Sequence, residues 1–136
     1  VIEEKKSDGD TLSGSETVLF VDDENMIIET AEELFEQLGY KVLIARSGKE
    51  AIETYEKNKE HIDIVLLDMI MPDMSGSDTY DRMKKVDPDI KVLLSSGYSI
   101  NGQATEIMDR GCDGFIQKPF KMKELSRKLR EILDKK

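Results

Sequence analysis

Three short runs, Val18-Leu19-Phe20-Val21, Ile64-Val65-Leu66-Leu67 and Val92-Leu93-Leu94, are apolar at every position. A strand with one wet face alternates apolar and polar residues, whereas a strand without alternation is buried on both faces. Buried strands of this kind belong to parallel sheets covered by helices on either side. Helical patterns stand between the runs. Ile27, Ala31, Leu34 and Leu38 share one face of a first helix that Gly39 stops. Lys41 to Ala45 is a second strand, shorter and more mixed in character, which suits an edge. Ser47-Gly48-Lys49-Glu50 has the spacing of a capping box, and Ala51, Ile52 and Tyr55 follow on a second helix.

Continuing along the chain, Asp63 to Leu67 reads as strand three and Ser77 to Val86 as helix three, ended by Asp87-Pro88. Strand four covers Lys91 to Ser95 and helix four Gly102 to Arg110, stopped by Gly111. Gly114 to Gln117 is strand five, and Leu125, Leu129, Ile132 and Leu133 lie on one face of helix five. Right-handed crossovers make this a doubly wound α/β fold with five strands and five helices. Residues 1–16 are polar and aperiodic, so they are expected to be a flexible linker or tail, with the folded domain over 17–136.

The strand ends carry the chemistry. Asp22-Asp23 closes the first strand, Asp68 the third and Ser95-Ser96 the fourth, while Lys118 follows the fifth. Open α/β sheets place their ligands at this carboxyl edge. Three carboxylates brought together repel one another, and a hard divalent cation relieves the repulsion; oxygen-only donors favour magnesium. Taken alone, Asp22-Asp23 reads more readily as an acid pair complementing a helix N-terminus than as a metal site, and Glu24 reads as a helix residue of the same kind and not as a ligand. With Lys118 opposite, the set is suited to a phosphoryl group, and the central Asp68 is the candidate nucleophile.

Other classes are disfavoured. A formal charge of −9, from 20 basic and 29 acidic residues, argues against direct binding to nucleic acid. No apolar run approaches the roughly 20 residues of a membrane helix, so no membrane insertion is expected. No charged-then-apolar leader opens the chain, and the cytoplasm is the expected compartment. The single Cys112 allows no internal disulfide and is expected to pack beside Gly111. His61, the only histidine, reads as a solvated residue without a role.

Val21-Asp22-Asp23-Glu24, Leu67-Asp68-Met69-Ile70-Met71-Pro72 with Gly76, Ser96-Gly97-Tyr98 and Gln117-Lys118-Pro119-Phe120 together resemble the receiver domain of two-component response regulators. The likeness runs from Thr17 to the C-terminus, with the right element between each pair of motifs. It implies a flavodoxin-like (CheY-like) sheet in the order 2-1-3-4-5, an order the residues alone do not give. It also implies that Asp68 accepts a phosphoryl group from a phosphohistidine on a histidine kinase or histidine phosphotransfer domain. Asp22, Asp23, Asp68 and the backbone carbonyl of Ile70 would hold magnesium, for which manganese can substitute. Lys118 would pair with the phosphoryl oxygens. Ser96, preferred to Ser95 because Gly97 follows it, would move toward the phosphoryl group while Phe115 swings inward. That step would repack the surface of helix four, strand five and helix five, through which a phosphorylation-dependent dimer is one expected outcome.

Ile70 and Tyr98 are bulky, and we expect them to shield the site from hydrolytic water. Such a module is not a conventional enzyme, although it catalyses its own phosphorylation and slow dephosphorylation. The polar lead-in Ser13-Gly14-Ser15-Glu16 resembles the tether before the C-terminal receiver of a hybrid histidine kinase, with a single-domain regulator as the alternative. Three other readings compete: a phosphorylation-independent interaction module, a magnesium-dependent phosphatase with an aspartate nucleophile, and a nucleotide or flavin binder. The second wants an acid two residues after Asp68, where this chain has Ile70. A nucleotide or flavin binder would need a glycine-rich phosphate loop after strand one, and the chain has Asp22-Asp23-Glu24 there.

Overall fold

A computed structural model of the chain describes residues 12–97 and 102–135. Its elements alternate: β1 (Thr17–Val21), α1 (Asn25–Leu38), β2 (Lys41–Ala45), α2 (Gly48–Asn58), β3 (Ile64–Asp68), α3 (Gly76–Val86), β4 (Val92–Ser96), α4 (Gly102–Asp109), β5 (Gly114–Gln117) and α5 (Met122–Leu133). All strands pair in parallel, in the order β2-β1-β3-β4-β5. This is the flavodoxin-like sheet that the sequence resemblance implies, with the mixed strand β2 at an edge.

The fully apolar strands do what their composition requires. Side chains alternate across the sheet, so each strand feeds two cores at once. Leu19, Val21, Val65, Leu67, Val92 and Leu94 pack with Ala51, Tyr55, Tyr80, Met83 and Ile107 from α2, α3 and α4. Val18, Phe20, Ile64, Leu66, Leu93 and Ile116 pack with residues of α1 and α5, among them Phe35, Leu125 and Leu129. Phe20 lies edge-on to Phe35 and to Phe120, ring centroids 6.0 and 6.1 Å away.

Three local differences from the sequence expectation have physical causes. The buried stripe of α1 is Ile28, Ala31, Phe35 and Leu38, while Ile27 and Leu34 are only half-buried. The apolar face of α1 is wider than four positions, and the large Phe35 ring takes its centre. Strand β4 runs one residue further than expected, because Lys118 N donates to Ser96 O (2.7 Å) and carries the pairing past Ser95. The capping box is displaced as well. Ser47 Oγ accepts from Glu50 N at 3.0 Å, but the Glu50 carboxylate reaches back to Arg46 N, not to Ser47.

The lead-in is held from Ser13 onward. Gly14 N donates to Leu38 O (3.0 Å), and the Glu16 carboxylate takes two hydrogen bonds from Arg130 of α5, at 2.9 and 2.7 Å. Gly39 ends α1 at φ 95°, and a side chain there would collide with Gly14 O, 2.5 Å from the Cβ position. Thus part of the segment expected to be linker is docked, and residues 1–11 lie outside the described residues.

Candidate functional site

The ends of β1, β3, β4 and β5 deliver the site's groups to the carboxyl edge. Residues that complete a buried strand are fixed by the ladder beneath them, so their side chains project from a rigid base. Asp22 N donates to Ala45 O (3.1 Å) and Met69 N to Ser95 O (3.0 Å), extending the pairing just past Val21 and Asp68. Asp22 is fully buried and Asp68 nearly so, whereas Asp23 is exposed. Asp22 Oδ1 accepts from Glu24 N (3.0 Å), which orients that carboxylate ahead of α1. Glu24 sits at the N-cap of α1 and makes no capping bond with its side chain.

Lys118 crosses to the acids. Its Nζ lies 2.5 Å from Asp22 Oδ2 and 3.2 Å from Asp68 Oδ1. Burial works against the Lys118 ammonium, but the hydrogen bond to Asp22 and the charges of Asp68 and Asp22 outweigh it and raise its pKa. Burial also dominates at Asp68. It lifts the carboxyl to about 6, with Lys118 pulling down and the Asp22 charge pushing up.

Asp22, Asp23 and Asp68 each place a carboxylate oxygen within 4.8 Å of the others. Three carboxylates and one ammonium leave a formal −2, which one divalent cation balances. The donors are hard oxygens and one of the three acids is open to solvent, so the set fits magnesium or manganese. A cleft of about 590 Å³ opens beside it, lined by Asp23, Glu24, Asp68, Ile70, Gly97 and Lys118, among others. Ile70 stands in the mouth of this cleft with 59% of its surface exposed.

The serines divide by strand parity. Ser95 is registered directly beside Asp68, on the face of Leu93, and Ser96 falls on the opposite face with Leu94. Both are buried, and Ser95 Oγ has no hydrogen-bond partner among the described residues. Phe115 pairs in register with Leu94, so it shares a face with Ser96 one step diagonally along the edge. It is half-buried against the core formed with α3 and α4. Tyr98 lies outside the described residues. His61 is exposed and Cys112 buried, its thiol pushed up to about 11 by burial.

Sequence reasoning missed Asp73. Its carboxylate accepts from Gly48 N and Lys49 N, both at 3.0 Å, and so joins the loop after β3 to the start of α2. No periodicity marks such a contact. The only signal is an acid in a turn-forming stretch, and that does not reveal its partner.

Residues 18–130 match the model of the response regulator receiver domain. The chain belongs to this family. It is 37% identical over 133 residues to sensor kinase CckA of Brucella abortus (strain 2308), an alignment that takes in 98% of this chain and 14% of that kinase. It is 34% identical over 116 residues to response regulator SaeR of Staphylococcus aureus (strain USA300), covering 85% of this chain and 50% of SaeR. The chain thus spans half or less of the length of these relatives. Among solved structures, a response regulator receiver domain protein from Clostridium thermocellum superposes with a TM-score of 0.83 at 30% identity, over 88% of this chain and 94% of that one. Receiver domains work in two-component signalling with kinases, and this chain is one of them. Among the described residues no helix is long and apolar enough to cross a membrane.

Proposed function

We propose that Asp68 is the phosphoacceptor, that Asp22, Asp23, Asp68 and the Ile70 carbonyl hold magnesium, and that Lys118, Ser96 and Phe115 convert phosphorylation into a change of surface. The observation that carries this reading is the convergence of three carboxylates and Lys118 at one edge of the sheet, with Asp68 at the end of the central strand. In the forward step an Asp68 carboxylate oxygen attacks phosphorus. The P–N bond of the donor phosphohistidine breaks, and the electron pair stays on the imidazole nitrogen, which takes up a proton. The product is an acyl phosphate on Asp68. Its hydrolysis restores the carboxylate: water attacks phosphorus, the P–O bond to Asp68 breaks with its electron pair left on the Asp68 oxygen, and inorganic phosphate leaves.

A bound divalent ion would supply charge neutralisation for the phosphoryl oxygens. The residues of this chain do the rest. Lys118, already within reach of Asp68, can turn its ammonium to an incoming phosphoryl oxygen. Ser96 offers a hydroxyl from the neighbouring strand, and withdrawing it toward the site opens room on the face it shares with Phe115. Inward rotation of Phe115 would then repack α4, β5 and α5, biasing a two-state surface through one covalent change. A dimer through that surface is one expected consequence, and a histidine kinase or phosphotransfer domain is the donor. Ile70 and Tyr98 would obstruct the hydrolytic water. The cytoplasm is the compartment we assign, and no direct contact with nucleic acid is expected of an acidic domain.

Amide NMR with magnesium and beryllofluoride, a mimic of the phosphoryl group, tests the switch. Magnesium alone is expected to shift resonances around Asp68, whereas those of Ser96, Phe115 and α4 are expected to shift only when both are present. Shifts with beryllofluoride alone, or shifts that stop at Asp68, would refute the coupling.

A further inference from the structure

The loop after Asp68 is pinned at its neck and at its tip. At the neck, Gly76 N donates to Met69 O (2.9 Å), and a Cβ on Gly76 would lie 2.7 Å from Met69 Cα, so the two ends of the loop touch through backbone. At the tip, Asp73 reaches another element, its Oδ1 accepting from Gly48 N and its Oδ2 from Lys49 N. These are first-turn N–H groups that α2 cannot satisfy internally, at the end of the helix that attracts negative charge. Helix α2 already has its own cap, since Ser47 Oγ takes Glu50 N. Asp73 therefore adds a tertiary cap that fastens loop to helix. The contact is close: a Cβ on Gly48 would stand 2.6 Å from Thr79 Oγ1 and 2.8 Å from Met74 Cβ.

We propose that Asp73 is a positioning residue, whose two hydrogen bonds to Gly48 and Lys49 hold the loop that carries the Ile70 carbonyl in place for a divalent cation. The inference rests on the metal-dependent reading above. A side-chain ligand can be re-aimed by a rotamer change, but a backbone carbonyl points wherever the path of the loop sends it. Ile70 lies between the neck and Asp73, with buried Met71 and exposed Pro72 in between, so freeing the tip releases the segment that aims its carbonyl. Asp73 itself is exposed, so its replacement leaves the core packing untouched.

Isothermal titration with magnesium chloride alone, without any phosphodonor, reads this directly. Asp73→Ala is expected to weaken magnesium binding roughly tenfold, the scale seen when support behind a metal ligand is removed. Asp73→Asn keeps one acceptor and is expected to fall between wild type and Asp73→Ala. Ser47→Ala removes the ordinary cap of the same helix, and should lower the thermal midpoint without changing magnesium affinity. Equal affinity in wild type and Asp73→Ala, with only the midpoint lowered, would reduce Asp73 to a helix cap and overturn the proposal. Absence of binding in wild type itself would instead overturn the metal-dependent reading, and the proposal with it.

Discussion

Asp68 is asked to be both buried and ionised, and the site is built around that conflict. Burial and the Asp22 charge raise its carboxyl to about 6 despite Lys118, against 3.8 for a free side chain. The folded state therefore holds the proton more tightly than the unfolded one. The stability contribution is fully present below about 3.8 and is lost as pH rises through about 6, amounting to at most about 3 kcal/mol. Asp68→Asn lacks this loss. Without divalent cations the variant should resist urea better than wild type above pH 6, and the two should converge near pH 4. Parallel curves across that range would contradict the assignment. Ile70 poses a kinetic question at the same scale. If its exposed side chain screens the acyl phosphate from water, Ile70→Asn should speed dephosphorylation several-fold, equivalent to about 1 kcal/mol of barrier. An unchanged decay rate would remove the shielding idea.

Elements are tied to one another by a few side chains that reach across them. Arg130 of α5 holds Glu16 ahead of β1, and also Asp134 one turn on. The Arg130 hydrogen bond lowers the Glu16 carboxyl to about 2, although burial opposes the shift. With Glu16 partly solvated, Glu16→Ala should cost about 1–2 kcal/mol in urea unfolding at pH 7. The cost should shrink as pH falls from about 4.5 toward 2, where the folded carboxyl is about half protonated and little of the pairing energy remains; a cost undiminished there would mean the contact acts through packing. Contacts of this kind were not legible in the sequence. Runs such as Ile64 to Leu67 announced buried strands because burial on both faces excludes polar residues, and Gly39 announced a helix end because the backbone there needs a left-handed turn. The Glu16–Arg130 pair and the Asp73 cap join residues far apart in the chain, with no periodic signal. The centre of the α1 face was misjudged for a related reason. Six apolar residues fit a helical face, and only packing against Phe20 decides that Phe35, not Leu34, faces inward.

At the scale of the whole molecule, the candidate site was legible as a set of strand ends and much less so as a geometry. The order of motifs brought Asp22, Asp23, Asp68 and Lys118 together because parallel strands all end at one edge. It could not show that Ser95, not Ser96, would stand in register with Asp68, since a one-residue difference at a strand end reverses the face. The two cores meet through that sheet, so a shift of Ser96 and Phe115 would be felt by α3 and α4 before α1. Hydrogen exchange should accordingly change in α4 and β5 on phosphorylation and leave α1 unaltered. The most direct measurement is intact-mass spectrometry after incubation with acetyl phosphate, with and without magnesium, on wild type and Asp68→Asn. The account predicts a single added phosphoryl group in wild type with magnesium, and none in the variant or without the metal. An adduct that survives in Asp68→Asn, or no adduct in a folded wild-type protein, would contradict it.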